Sequence, residues 1–384
     1  MDQIAGFSFR TAGEIIFGRG RAMDPLAGLA LSDTRVLLVR GANPARSAPM
    51  RAGLVAQGCL LEEFVADREP DLDLIDNGIT EARAFGAEYV VALGGGSVID
   101  TAKAIAALVP AERPMLDHLE VVGKGLPLEI PPLPCVALPT TAGTGAEVTR
   151  NAVIAVPEHR RKVSLRDPKM LPRLAVIDPA LTDGTPRDVT LASGLDAITQ
   201  VIEPYICARS NPMTDALCRV AIPQGLRALH SLITGAETPE ARDALCWTSL
   251  CGGMALANAG LGVIHGLAGP LGGVSGAAHG AICGALLPHG LAMNAARISD
   301  PARLQRLDEI RGWIAGVLDC APQDAFAALA HWQTAAGLPG LAAQGVQYAD
   351  LRPVAEAAAV SSSMKANPVA LGPDDLCQVM EAAF

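Results

Sequence analysis

A change of pattern near residue 185 constrains the fold of this chain more than any other feature of its sequence. Before that point, short apolar runs alternate with segments of helical periodicity. The strand-like runs are "TRVLLVRG" (34–41), "AEYVVALGGGS" (87–97), "LPCVALPTTAGTG" (133–145) and "LAVIDP" (174–179), and the helical segments are "DLIDNGITEARAFG" (73–86) and "VIDTAKAIAALV" (98–109). Alternation of this kind predicts a mostly parallel sheet with helices on its faces.

After about Pro186 the strand signals become few. The chain is then dominated by long Ala- and Leu-rich segments with helical periodicity, such as "EARDALCWTSLCGGMALANAG" and "HGAICGALLPHGLAMNAARI". A length of 384 residues is enough for two domains. We therefore predict an α/β domain with a Rossmann-like parallel sheet over residues 1–185 and an all-helical domain over residues 186–384.

Charge and cysteine content limit the classes of partner. The net charge is −10 and the isoelectric point is near 5.2, so no basic surface for nucleic acid or an anionic membrane is expected. The nine cysteines form no CxxC pair and lie in apolar runs, which is typical of reduced thiols in a cytoplasmic protein. No signal peptide and no charge-free apolar run of membrane-spanning length is recognised.

A glycine loop separates the second strand from the helix that follows it. In "VVALGGGSVIDTAK" the residues Gly94, Gly95, Gly96 and Ser97 come directly before the helical segment. Glycines let a backbone approach a ligand closely, and a helix N-terminus offers free N–H groups to a phosphate. The loop is neither GxGxxG nor a Walker A motif, so an ordinary strand-to-helix turn remains the alternative.

A second loop of similar design follows the next strand. "LPTTAGTGAEVT" places the hydroxyls of Thr140, Thr141 and Thr144 beside glycines. A single loop of this composition is usually only a turn. Two such loops at the ends of adjacent parallel strands favour one extended ligand across the carboxyl edge of the sheet.

In the second half, "ASGLDAITQVIEPYI" predicts a helix with polar residues on one face. Asp196, Gln200 and Glu203 follow one another at i, i+4 and i+7 and therefore share that face. A carboxylate and a histidine at this spacing would suggest a metal site, but the second position here is an amide. The pattern is compatible with three alternatives: a metal site with an exchanged ligand, a site that has lost its metal, or simply the polar face of a helix.

Two histidines in apolar surroundings could complete such a site. His265 and His279 are each followed by glycine, and a buried imidazole needs a partner. Pro270 and the pair 272–273 are expected to break the helix between them, so that two helix ends could bring both rings to one point. Together with Asp196 they would form a three-ligand site with an open position; the alternative is two separate core histidines.

Several motifs occur together, in one order, over nearly the whole chain. They are "IIFGRG", "GGGSVIDTAKAIA", "LPTTAGTGAEVT", "KVSLRDPKMLPRLAVIDP", "ASGLDAITQVIEPY", "HGLAGPLGG", "HGAICGALLPH" and "SSSMKANP". With them the chain resembles the iron-containing (group III) alcohol dehydrogenase family of the dehydroquinate synthase-like superfamily. The resemblance implies a nucleotide-binding α/β domain, a helical domain, and metal-assisted hydride transfer between NAD(P)(H) and a small alcohol or its aldehyde or ketone.

The same resemblance implies the metal ligands Asp196, Gln200, His265 and His279. The second position is a histidine in the family, and a neutral amide oxygen would be a weak fourth ligand or only a hydrogen-bonding neighbour. A further family histidine corresponds to Gly269 here. The other three ligands suffice for a catalytic divalent ion, with Fe2+ as the family's metal and Zn2+ as the alternative.

The resemblance also assigns cofactor contacts. The first loop would cradle the pyrophosphate, Asp100 and the threonine loop would orient the ribose and nicotinamide, and Lys162 matches a cofactor-contacting lysine. Relatives that prefer NAD carry an aspartate after the early strand, where this chain has Gly41, with Arg40 beside it. Loss of that carboxylate predicts acceptance of NADP(H), unless Arg40 points to solvent and NAD binds through its pyrophosphate alone.

Three other functions are alternatives for a chain of this kind. A maleylacetate-reductase-like reductase without metal, a dehydroquinate-synthase-like lyase and a non-catalytic binding protein share this fold, but the two loop motifs favour the dehydrogenase. Because the sheet edge near "FSFRTAGEIIFG" is long and apolar, we expect it to be covered. Family members pair there, which predicts a homodimer or a higher homo-oligomer.

Overall fold

A computed structural model of the protein describes residues 6–24, 29, 31–159, 161–235 and 237–384. These residues form two compact units. The first comprises Thr11–Thr141 and Gly145–Asp183. The second comprises Gly184–Phe384, the short segment Ala142–Thr144 and the described residues before Thr11. The division thus falls close to the predicted boundary after residue 185, but the sequence gives no sign that residues 142–144 belong with the helices.

The first unit is built on eight strands. Their bounds are Glu14–Phe17 (β1), Arg35–Arg40 (β2), Leu60–Val65 (β3), Tyr89–Gly94 (β4), Cys135–Pro139 (β5), Asn151–Val156 (β6), Arg161–Arg166 (β7) and Leu174–Ile177 (β8). Six of them form a parallel sheet in the order β1-β8-β5-β4-β2-β3. The predicted Rossmann-like parallel sheet is therefore confirmed.

Four helices accompany these strands in the described part of the unit. They are Pro44–Ala56 (α1), Leu72–Phe85 (α2), Gly96–Leu108 (α3) and the single turn Met115–His118 (α4). Helix α2 ends where the sequence predicts, because Gly86 adopts a left-handed conformation with φ of 70° that costs a glycine little.

Side chains alternate between the two faces of the sheet, and both faces are covered. On β2, Leu37 and Val39 join a core that contains Ile105 of α3, whereas Val36 and Leu38 join residues of α1 on the opposite face. All four strand residues are fully buried. Strands buried on both faces read as continuous apolar runs, which is why "RVLLVR" identified this strand so clearly.

One element of the first unit was not predicted. Strands β6 and β7 form an antiparallel hairpin, although the sequence analysis found no strand in "NAVIAV". Residues Ile154 and Val163 of the hairpin bury against Ile75 and Ile79 of α2. The hairpin is outside the β/α alternation, so the pattern that revealed the sheet did not reveal it.

The second unit contains only helices among its described regular elements. They are Arg187–Ile206 (α5), Pro212–Thr234 (α6), Pro239–Asn258 (α7), Val263–Ser275 (α8), His279–Arg297 (α9), Pro301–Leu318 (α10), Ala325–Ala335 (α11), Leu351–Ala359 (α12) and Pro373–Ala382 (α13). Helix α5 packs against α6, α7 and α9 and is buried over most of its length. The expectation of an all-helical second domain is confirmed.

The predicted helix break at Pro270 is wrong. Helix α8 continues through Pro270 and ends at Gly276, which is left-handed with φ of 69°. Proline removes only one hydrogen bond of the ladder, whereas a left-handed residue turns the chain out of the helix. His265 and His279 consequently lie in the first turns of α8 and α9, at helix starts rather than at a break beside the proline.

In the described part of the chain no single helix is long and apolar enough to cross a membrane. One bent pair, α7 with α8, meets the criterion jointly by length and composition, with a bend of 96°.

Candidate metal and cofactor sites

Four side chains of the helical unit converge at one point. One ligand atom from each of Asp196, His265, His279 and Cys283 lies within 4.8 Å of the others. The Asp196 carboxylate is 3.3 Å from Nε2 of His265 and 3.9 Å from Nε2 of His279. The hypothesis of two unrelated core histidines is therefore wrong, and Cys283 is a member that the sequence analysis missed.

Glycines let helix α9 approach helix α5 closely enough for this convergence. A Cβ on Gly280 would lie 2.4 Å from the carbonyl oxygen of Ala192, and one on Gly284 would lie 2.7 Å from Leu195 Cδ1. Gly280 directly follows His279, in the first turn of α9. The close crossing places the first two turns of α9 against the turn of α5 that carries Asp196.

Glu203 holds His265 in place. Its carboxylate is 2.6 Å from Nδ1 of His265, and the backbone N–H of Ile264 donates to its other oxygen at 2.7 Å. Glu203 belongs to helix α5 and is 1% exposed. Its carboxylate faces the start of helix α8, where the first N–H groups have no partner within the helix. With Nδ1–H donating to Glu203, Nε2 of His265 is the ring nitrogen that faces Asp196.

The start of helix α8 also explains part of "SSSMKANP". The backbone N–H of Val263 donates to Oδ1 of Asn367 at 3.0 Å, and Asn367 is itself bonded to Asn294 at 2.8 Å. Gly262 precedes the helix, and a Cβ there would lie 2.8 Å from Asn367 Oδ1 and 2.9 Å from Glu203 Oε1. Only glycine admits both acceptors, so the motif serves to fix the helix that carries His265.

The charges of the cluster are strongly coupled. Burial opposes ionisation of Asp196, but the imidazoles of His265 and His279 outweigh it and lower the pKa of this carboxyl. Burial likewise opposes protonation of His265, yet the Cys283 sulfur and the Asp196 and Glu203 carboxylates raise its pKa well above the usual value. Two carboxylates thus draw protons onto the imidazoles, and a divalent cation would satisfy the same demand for positive charge.

Gln200 makes a different contact from the one expected of a ligand. Its amide nitrogen donates to the carbonyl oxygen of Gly143 at 2.8 Å, and the residue is 3% exposed. Gly143 packs on the same helix, where a Cβ would lie 3.0 Å from Ser193 Cβ. The amide therefore ties the segment Ala142–Thr144 to helix α5, and its role as a metal ligand remains a prediction.

In the first unit, the two predicted loops lie side by side. Gly94 pairs with Pro139 at the ends of β4 and β5, and the N–H of Thr140 donates to the Gly94 carbonyl at 2.9 Å. A Cβ on Gly95 would lie 3.2 Å from Oγ1 of Thr141. Gly95, Gly96 and Ser97 are partly exposed at the start of α3, which has no side-chain cap. The loop thus presents a helix N-terminus suited to a phosphate.

A fully buried lysine supports the second loop from within. Lys103 of α3 donates to the Ala146 carbonyl at 2.8 Å and to Oγ1 of Thr149 at 2.9 Å. Asp100 is engaged on the same helix, accepting from the N–H of Val153 at 3.0 Å and lying 3.2 Å from the Lys103 ammonium. Its carboxylate contributes to the packing of hairpin β6–β7, and its predicted contact with the ribose stays a prediction.

Other predicted cofactor residues also have protein partners. The ammonium of Lys162 forms an ion pair with Glu69. Arg40 does not point to solvent, because its Nε donates to Glu63 at 2.5 Å and its Nη1 to the Gly41 carbonyl at 3.0 Å. Gly41 itself is roomy, since a Cβ there would meet only Val98 Cγ2 at 3.9 Å.

One signal for Cys283 was present in the sequence. Cys283 stands four residues after His279, so both share one face of the predicted helix "HGAICGALLPH". Glu203, noted only as part of a polar face, could have been assigned to His265 only by a tertiary contact, because the two are far apart along the chain. Thr144 belongs to the segment held by the helical unit.

Comparisons with known proteins agree with this architecture. A family model described as iron-containing alcohol dehydrogenase matches residues 12–179, and the model of the C-terminal part of the same family matches residues 190–384. The NAD-dependent methanol dehydrogenase of Bacillus methanolicus is 32% identical over 323 residues, 83% of each chain. The lactaldehyde reductase of Escherichia coli K12 is 38% identical over 226 residues, 59% of this chain and 58% of its own.

Solved structures show the same fold. That of 1,3-propanediol oxidoreductase superposes with a TM-score of 0.87 at 28% identity, over 99% of this chain and 100% of its own. An alcohol dehydrogenase from Oenococcus oeni gives 0.87 at 27% identity, again over 99% and 100% of the two chains. With both halves matched and the cluster in place, the chain belongs to the iron-containing alcohol dehydrogenase family, oxidoreductases that use NAD(H) and a divalent metal ion to interconvert alcohols and aldehydes.

Proposed function

We propose that Asp196, His265 and His279 hold the divalent ion of this oxidoreductase. The convergence of a carboxylate and two imidazoles with Cys283 within 4.8 Å carries the proposal. A buried carboxylate beside the buried imidazole of His265 and the partly exposed one of His279 is costly to maintain unless an ion or a proton balances it. The same cluster favours a metal-assisted reaction over that of a metal-independent reductase.

The residues have separable tasks. When bound, the ion supplies Lewis acidity that polarises the carbonyl of an aldehyde or lowers the pKa of an alcohol. Asp196 and the two imidazoles position it, and Glu203 keeps the Nδ1 proton of His265 so that Nε2 stays free to bind. His279 is the least buried of the three, with a side chain 36% exposed, so a small substrate would enter at its side of the cluster.

The N-terminal unit is proposed to bind NAD(P)(H). Gly94–Ser97 at the start of α3 would hold the pyrophosphate with backbone N–H groups, and the neighbouring Thr140 and Thr141 would hold the ribose and nicotinamide side. The cofactor supplies the hydride chemistry, and the protein supplies orientation. Near Gly41, two guanidinium groups flank one carboxylate, because Arg40 and Arg51 both pair with Glu63. This excess of positive charge supports acceptance of a 2′-phosphate.

The substrate is proposed to be a short-chain alcohol and its aldehyde. The similar proteins are named for methanol, lactaldehyde and 1,3-propanediol, which are all small and polar. We propose that the enzyme acts in the cytoplasm. Its nine cysteines are free, seven of them buried, and a protein with this many reduced thiols suits a reducing compartment.

Metal content and activity measured on the same preparations test this proposal. About one divalent ion per chain is expected, together with reduction of short aldehydes by NADH or NADPH. His265→Ala removes one ligand and should lower both metal content and kcat/KM, the latter by about 100-fold or more. His331→Ala, at an exposed position of α11, is the matched control and should change neither. Retention of full metal content and activity by His265→Ala would refute the assignment.

A further inference from the structure

We propose that the thiolate of Cys283, and not the amide of Gln200, is the fourth protein ligand of the metal. This inference rests on the proposed site at Asp196, His265 and His279. It changes the donor set from three imidazoles with one carboxylate, as the family resemblance implies, to two imidazoles, one carboxylate and one sulfur. It also changes which metal the site should prefer.

The distances between the ligand atoms fit a tetrahedral site. Ligands at about 2.0–2.1 Å for nitrogen or oxygen and about 2.3 Å for sulfur, placed tetrahedrally around one ion, lie roughly 3.3 to 3.6 Å from one another. Sγ of Cys283 is 3.6 Å from Nε2 of His279, and Nε2 of His265 is 3.3 Å from Asp196 Oδ1. The His279–Asp196 edge, at 3.9 Å, is only slightly longer.

Helix α9 positions the Cys283 sulfur beside the other three ligand atoms in the same way as it positions the imidazole of His279. The two residues are one turn apart in α9, and Gly280 and Gly284 hold that face of the helix against α5. Cys283 is fully buried, so its sulfur has no contact with water. A thiolate in such a position needs a positive partner, and an ion among the four ligand atoms would provide it.

The amide nitrogen of Gln200 bonds within the protein, so only its oxygen is left for a metal. Only the oxygen of a carboxamide can bind a metal ion, and its nitrogen is fixed on the Gly143 carbonyl at 2.8 Å. The hydrogen bond gives residue 200 a structural task at the place where the family has a ligand. Cys283 supplies a charged, soft donor, whereas the oxygen of Gln200 is a neutral, hard one.

Charge supports the exchange as well. Among the atoms that would touch the ion, a Cys283 thiolate adds a negative charge to that of Asp196, whereas a neutral amide adds none. Sulfur is also a softer donor than imidazole or carboxylate, and thiolate-containing sets select zinc over oxygen-loving metals. We therefore infer that this enzyme would bind zinc in preference to iron.

The closing experiment uses cobalt as a spectroscopic probe. The full chain is stripped of metal under reducing, oxygen-free conditions and titrated with Co2+. Binding of one equivalent should produce an intense near-ultraviolet thiolate-to-cobalt charge-transfer band, which oxygen and nitrogen ligands do not give. Cys283→Ser should bind Co2+ without this band and lose about tenfold or more in affinity. Cys218→Ser, at a fully buried cysteine of helix α6, and Gln200→Met should keep the band.

The outcomes separate the two proposals. Stoichiometric Co2+ binding that depends on His265 but gives no charge-transfer band in the unaltered protein would overturn the role of Cys283 and leave the proposed function intact. A band that survives in Cys283→Ser, or disappears in Gln200→Met, would also overturn it. Failure of the unaltered protein to bind Co2+ at all would overturn both. Zinc retained over Fe2+ in a direct competition is the further expected result.

Discussion

At the scale of single residues, Glu203 combines two tasks that are usually given to different side chains. One oxygen accepts the N–H of Ile264 at the start of α8, and the other accepts the Nδ1–H of His265. Both oxygens must therefore be acceptors. The first task places the helix and the second sets the tautomer of the histidine, so the orientation of the proposed ligand is fixed by one carboxylate.

Replacing Glu203 by glutamine tests this arrangement. The new amide keeps one acceptor but presents N–H groups to a partner that is itself a donor, so either Ile264 or His265 loses its bond. We expect metal affinity, measured by chelator competition, to fall by about 10- to 100-fold. Glu309→Gln, at a partly exposed glutamate of α10, serves as the control. Unchanged affinity in Glu203→Gln would mean that Glu203 does not orient the ligand.

Gly41 gives a second prediction at this scale. The position has room for a side chain, so Gly41→Asp should fold and place a carboxylate where a 2′-phosphate would bind. We expect kcat/KM for NADPH to fall about tenfold or more, with that for NADH maintained. Gly41→Asn, equal in size but uncharged, separates repulsion from crowding. An unaltered enzyme that already selects NADH strongly, or equal losses in the two variants, would contradict the prediction.

At the scale of elements, the site depends on where two helices begin. Helices α8 and α9 each present a histidine in the first turn, and neither is capped by the side chain of its own N-cap residue. Side chains from elsewhere in the chain accept the first N–H groups of α8. Gly262 admits the acceptors Asn367 and Glu203, and Gly280 admits the Ala192 carbonyl. Ligand positions in this enzyme are therefore set by how closely helices approach.

Gly280→Ala tests the helix crossing. Its Cβ would meet a backbone carbonyl at 2.4 Å, which cannot rotate away, so α9 must shift from α5. We expect a loss of about 1–3 kcal/mol in the free energy of unfolding and weaker metal binding, because His279 moves with the helix. Gly316→Ala in α10 is the control, since no atom lies within 4 Å of its Cβ. That variant should gain up to about 1 kcal/mol.

Urea denaturation and chelator competition on both variants give the measurement. Stability and metal affinity equal to those of the unaltered protein in Gly280→Ala would show that the crossing is not tight. A loss of metal affinity in Gly316→Ala as large as in Gly280→Ala would show that the effect is not specific to the α5–α9 contact.

At the scale of the whole molecule, the parallel sheet has two edges, β1 and β3. Strand β1 is largely exposed, and Phe17 at its end is 37% exposed. Among the described residues no strand pairs with the outer side of β1, and such an edge invites pairing with another chain. We propose that two copies associate through β1, as the family resemblance implies.

Sedimentation at about micromolar concentration should then give a dimer or a larger assembly. Phe17→Lys places a charge on the proposed interface and should shift the equilibrium toward monomer. Leu60→Lys, at the opposite edge on β3 where Leu60 is 52% exposed, should leave the assembly unchanged. A monomeric unaltered protein, or dissociation caused by the β3 variant instead, would contradict assembly through β1.

The sequence by itself determined the architecture and the protein class. Continuous apolar strands such as "RVLLVR", the glycine at the end of α2 and the loss of strand signals after Pro186 are local signals, and local propensity and periodicity are enough to interpret them. The ordered motifs placed the chain in its family. The family resemblance implied that Asp196, His265 and His279 come together, which spacing alone left open, and their ligand atoms do lie close to one another.

Only the tertiary structure decided which atoms surround the metal position. The contact of Gln200 with Gly143, that of Glu203 with His265, and the proximity of Cys283 to the histidines depend on how closely α5, α8 and α9 pack. Packing distance is set by glycines whose neighbours are remote in the chain, and sequence spacing carries no information about those neighbours. For the same reason the helix break was misplaced at Pro270, since termination required the left-handed geometry of Gly276.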